Sequence, residues 1–161
     1  MILGVSTPTF TLIHVVLSLI GIASGLVVLY GMLTRKKLDQ WTMLFLITTV
    51  ATSLTGFAFP NDHLTPGIKV GIISMVALGI AIVARYVFHL AGSWRWVYVF
   101  AVVLSLYLNV FVLIVQCFLK VPALKALAPT QTEPPFLVAQ LAALGLFLVL
   151  GVFAAKRFRP V

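Results

Sequence analysis

Five apolar runs, at about 10–33, 41–59, 68–90, 95–119 and 136–155, leave this chain few ways to fold in water. At 1.5 Å per residue, about twenty residues of helix cover a hydrocarbon core of roughly 30 Å, so each run can cross it or nearly so. The second run is the shortest and the richest in threonine, and its ends are the least sharply marked. Hydrophobic residues make up 62% of the 161, more apolar surface than a soluble domain of this size can use. The expected fold is an all-α integral membrane protein: one domain over 1–161, a compact bundle of five transmembrane helices.

The first run is preceded by MILGVSTPTF, which has no positive region, and no small-x-small cleavage site follows it. It therefore reads as a retained span and not as a signal peptide. Basic residues gather beside the runs. Arg35, Lys36, Lys37, Arg85, Arg95, Lys156, Arg157 and Arg159 fall on one set of flanks; Lys69, Lys120 and Lys125 fall on the other. Under the positive-inside rule this split puts the N-terminus outside and the C-terminus in the cytoplasm. The same grouping explains the formal charge of +8 without a nucleic-acid partner. Cys117 is the sole cysteine, so neither a disulfide nor a cysteine-rich metal framework is available.

The longest connection is the outer loop 120–135, KVPALKALAPTQTEPP. Pro122 can start a short interfacial helix and Pro129 can stop it. Thr130, Gln131, Thr132 and Glu133 then offer a polar surface suited to a lid or a partner.

Inside the membrane, the fourth span holds the most informative pattern. Tyr98, Ser105, Asn109, Gln116 and Lys120 fall within about 60° of one another around a helix, among positions that are nearly all apolar. Such a seam is costly against lipid and should face protein, ligand or water. Three readings are open: interhelical hydrogen bonding, the wall of a ligand- or solvent-lined site, or lipid-headgroup contact at the Lys120 end. In the second span Thr48, Thr52 and Thr55 share a face, and Thr48 and Thr52 could extend the seam. Hydroxyls that can bond to their own i−4 carbonyls are weaker signals than amides. Gly21 and Gly25 form a Gly-x-x-x-Gly pair, as do Gly67 and Gly71, fitting close packing within the chain or between subunits.

Three smaller groups complete the candidates. Arg85 and His89 are four residues apart: Arg85 could reach lipid phosphate while His89 caps the helix end, or the two, with Arg95 across a short turn, could bind an anionic headgroup or a cytosolic anion. Asp62, His63, Lys69 and Glu133 could form a polar outer mouth, or Asp62 could cap the third span. His14 and His63 lie at similar depth, so they are the only pair that could hold a haem or a metal between spans; no completing carboxylate or thiolate accompanies them. No cofactor is expected otherwise. No acid lies within any run, and no nucleotide, metalloprotease, hydrolase or redox motif is present. Nothing in the sequence requests catalysis.

The Thr-rich second run, the Phe59-Pro60 exit, the Pro66-Gly67 start and the Ala128-Pro129-Thr130-Gln131 loop resemble a small bacterial membrane protein. That resemblance implies a multi-pass protein of the bacterial inner membrane and no particular activity. The expected function is the binding or passage of a small neutral or anionic solute along the fourth-span seam, in a monomer or a homo-oligomer. The alternatives are an accessory subunit packed against a partner membrane protein, and a bis-His haem subunit. Membrane lipids are partners in every case.

Overall fold

The computed structural model describes residues 1–159, which form six α-helices and one π-helical turn, with no strand beyond an isolated Ile2–Val5 bridge. In chain order these are α1 (Thr7–Leu33), α2 (Asp39–Phe57), α3 (Pro66–Ile82), the π-turn Val83–Val87, α4 (Trp94–Lys120), α5 (Pro122–Leu127) and α6 (Pro134–Arg157). Proline opens four of them. In α1 and α3 it follows a hydroxyl cap: Ser6 Oγ accepts from the Thr9 amide at 3.4 Å, and Thr65 Oγ1 from the Ile68 amide at 3.3 Å. A proline ring fixes φ where the helix needs it and lacks only an amide that would have had no partner.

The helices form a bundle around α4, which packs against α1, α3, α5 and α6. Its core holds Phe45, Leu78, Val99, Val102 and Leu106, all fully buried. Most other large apolar side chains, such as Ile47, Val76, Leu141 and Leu148, point outward. An apolar exterior around a small packed centre is the arrangement of an integral, multi-pass helical membrane protein whose outer surface contacts lipid.

The expectation of five transmembrane helices is corrected here. Among the described residues, four helices are long and apolar enough to cross a membrane: Thr7–Leu33, Pro66–Val87, Trp94–Lys120 and Pro134–Arg157. The run at 41–59 became α2, which fails that test for a visible reason. Asp39 and Gln40 open it, and six hydroxyl residues dilute the remainder. Thr42, Thr48, Thr49, Thr52 and Ser53 are buried against protein, chiefly α1, so the polar side of α2 is an internal packing surface. With four qualifying helices, the odd number of crossings that termini on opposite sides of the membrane would need is lost.

Glycine decides how closely α1 is approached. A methyl at Gly25 would stand 2.6 Å from Leu106 Cδ1 and 2.9 Å from the Phe45 ring; one at Gly21 would stand 3.1 Å from Thr49 Oγ1 and 3.2 Å from Asn109 Nδ2. The Gly21/Gly25 pair therefore serves the joint of α1 with α2 and α4 inside one chain. Gly71 does the same for Phe57, whose ring would meet a methyl there at 2.7 Å.

Candidate functional site: a cavity among α1 to α4

Above the Gly25–Phe45–Leu106 contact the helices part to leave a cavity of about 580 Å³, reaching the end of the bundle that carries Lys120. α1 lines it with His14 and Ser18, α2 with Thr52 and Ser53, α3 with Ile68 and Ser74, and α4 with Asn109, Gln116 and Lys120. Most of the remaining wall is apolar, including Val15, Leu19, Phe57, Val112 and Leu113. Cys117 is on the same wall, and no acidic residue is.

The sequence-derived seam divides at this point. Asn109, Gln116 and Lys120 face the cavity, joined by Thr52. Tyr98 and Ser105 lie deeper and are completely buried, with Ser105 donating to the Ala101 carbonyl at 2.8 Å. Thr48 stands between the two parts, beside Gly21, and donates to the Leu44 carbonyl at 2.7 Å. At the cavity floor Ser18 donates to Asn109 Oδ1 at 3.4 Å, while the buried Asn109 Nδ2 hydrogen-bonds to no protein group. Thr49 Oγ1, which like Asn109 Nδ2 faces the missing side chain of Gly21, also has no protein partner.

His14 is half-buried and bonded on one nitrogen only. Its Nδ1 lies 2.8 Å from Thr55 Oγ1, whose single hydrogen is directed to the Ala51 carbonyl at 2.7 Å. Thr55 must then accept from His14, so Nδ1 carries the hydrogen and Nε2 is an acceptor. The ring is steadied by an edge contact with Phe59, centroids 5.3 Å apart. His63, its proposed partner for haem, is exposed on the 58–65 connection, and no group of three or more His, Cys, Asp or Glu side chains gathers among the described residues.

Of the outer-mouth candidates, Asp62, His63 and Lys69 are exposed, and no side-chain hydrogen bond or salt bridge joins them; Asn61 and Thr65 contribute to the cavity rim instead. Thr65, not Asp62, caps α3. Glu133 closes a separate turn, accepting from Thr130 Oγ1 at 2.8 Å, from the Thr130 amide at 3.2 Å and from the Thr132 amide at 3.1 Å. The Thr130 hydroxyl is the main cause holding its carboxyl below the ordinary range. Gln131 Nε2 reaches back to the Val115 carbonyl at 2.9 Å, tying this turn to α4.

At the opposite end of the bundle, Arg85 is buried on the π-turn. It donates to the Tyr98 hydroxyl at 3.1 Å and to Asp39 Oδ1, and its guanidinium lies 5.5 Å from the Tyr98 ring centroid. Arg95 donates to the Phe158 carbonyl and stacks on Trp96, which closes the C-terminal end of α6. His89 has a positive φ of 47°, outside the helix, and is exposed. The three are therefore separate: two have protein partners and the third stands alone. Asp39 was overlooked as a partner, although it is the single acid beside Arg35, Lys36 and Lys37 at the start of a helix. Ser18 was also overlooked, yet His14, Ser18, Gly21 and Gly25 recur at helical spacing along one side of α1.

No family model, curated protein or solved structure matches this chain. What the cavity does has to be argued from its wall.

Proposed function

We propose that this protein binds, and in a translocating cycle passes, a small neutral or anionic solute through the α1–α4 cavity. One observation carries the reading: Asn109, Gln116 and Lys120, spaced along one face of α4, line the same cavity, whose wall contains a cation and no acid. Such a lining offers hydrogen-bond donors and a positive charge, which disfavours metal cations and suits acceptor-rich or anionic groups. The volume lies within the usual range for small-molecule sites, about 300–1,000 Å³. A bacterial inner membrane and a homo-oligomer are compatible settings, and neither is needed for the cavity to form.

The test is retention of labelled glycerol, lactate and dodecanoate by the purified protein in phosphatidylcholine nanodiscs, compared with Asn109→Leu plus Gln116→Leu. The wild type should retain at least one compound that the folded double variant releases. Equal retention of all three by both proteins would remove the seam from any binding role.

A further inference from the structure

The wall chemistry narrows the ligand beyond this, on the premise that the cavity is a binding site. A compact hydrophilic anion would meet a cation at one end only, and along most of the wall, which is apolar despite scattered hydroxyls, would exchange water for Val15, Leu19, Val112 and Leu113. A neutral hydrocarbon would leave the polar end without a partner. Gln116 and Lys120 are one turn apart, form no hydrogen bond or ion pair with any described residue, and sit together at the mouth. The floor lies at Asn109, about 16 Å from Lys120 along the helix at 1.5 Å per residue. A donor-rich, singly charged mouth above a long, largely apolar shaft calls for a molecule with the same division.

We propose that the cavity takes a single-chain amphiphile with one anionic head, the head held by Lys120 and Gln116 and the apolar body lying between α1, α3 and α4. A carboxylate offers two acceptor oxygens, enough for the Lys120 ammonium and the Gln116 amide together. Asn109, its carbonyl occupied by Ser18 and its NH2 turned toward Gly21, closes the shaft without supplying a second charged anchor. Length and head charge are thus read at opposite ends.

The experiment uses the full-length protein in phosphatidylcholine nanodiscs, with labelled dodecanoate and its methyl ester as probes and protein-free discs as the partition baseline. Dodecanoate should bind saturably and about tenfold more tightly than the ester, the factor expected of one charge-assisted hydrogen bond. Lys120→Gln should bring the acid down to the ester's level and leave the ester unchanged, whereas Lys69→Gln, exposed at the same end but off the wall, should alter neither. Val112→Trp, which fills the shaft, should abolish both. If acid and ester bind alike and only Val112→Trp affects them, the anionic head is wrong while the binding site stands. If neither probe exceeds the baseline in a protein of native helicity, the amphiphile proposal fails, and the binding reading then rests on glycerol and lactate alone.

Discussion

Gly25→Ala probes the closest approach in the bundle, the contact that closes the cavity from below. A methyl there would lie 2.6 Å from Leu106 Cδ1 and 2.9 Å from two atoms of the Phe45 ring, and both side chains are 0% exposed. Carbon atoms pack best about 3.5–4.0 Å apart, so Leu106 and Phe45 must each move by about 1 Å within a fully occupied core. Overpacking of this kind costs about 1–3 kcal/mol, while alanine regains about 1 kcal/mol of helix propensity. A net loss of up to about 2 kcal/mol follows. Gly145→Ala is the matched control: it lies in α6 with nothing within 4 Å of the added methyl, so it should be neutral or stabilise by up to about 1 kcal/mol. Reversible unfolding in mixed detergent and SDS micelles, followed by circular dichroism, should separate the two by about 2 kcal/mol with Gly25→Ala the weaker. Equal stability, or greater stability for Gly25→Ala, would show that α1 does not approach α2 and α4 as closely as described.

Other outcomes follow from the polar contacts. Asp39→Asn removes the charge facing the buried Arg85 guanidinium; because the Asp39 side chain is itself largely exposed, the same unfolding assay should register a loss of only about 1 kcal/mol, partly recovered in Asp39→Glu. Gln140 donates to the Phe111 carbonyl at 3.2 Å but leaves its own Oε1 buried without a partner, so Gln140→Leu should change stability by less than about 1 kcal/mol in either direction. Glu133 titrates below its ordinary value when folded, because Thr130 bonds its ionised form. Its contribution is therefore present above the unfolded carboxyl pKa and is lost as pH falls through the depressed folded value. Thr130→Ala should raise the Glu133 titration midpoint, read by carbon-detected NMR, and flatten stability on the acid side.

Much of the bundle was legible because length and apolarity act locally: α1, α3, α4 and α6 coincide with runs that read as spans. The second run shows the limit of that reading. A count of apolar residues treated its threonines as tolerated within a span, whereas they are buried on the side of α2 turned to protein. Arg85 shows another limit. Its place near a helix end suggested contact with lipid headgroups, but Asp39, forty-six positions earlier in the chain, meets it through tertiary packing. The π-turn that presents Arg85 has no local sequence signature. On α4 the spacing of Asn109, Gln116 and Lys120 was readable as one face; that His14, Ser18 and Thr52 stand across a cavity from it depends on how three other helices pack.

Cys117 offers the most direct measurement, because the chain's one thiol lies on the cavity wall, one residue from Gln116 and three from Lys120. The rate at which a membrane-impermeant anionic methanethiosulfonate modifies it in nanodiscs reports whether polar solutes reach the wall. The account predicts modification from water, slowed by Val112→Trp and accelerated relative to the cationic reagent by the Lys120 charge. Labelling only by a membrane-permeant maleimide, with both charged reagents inert, would mean that lipid and not solute meets this face of α4, and would contradict the central claim.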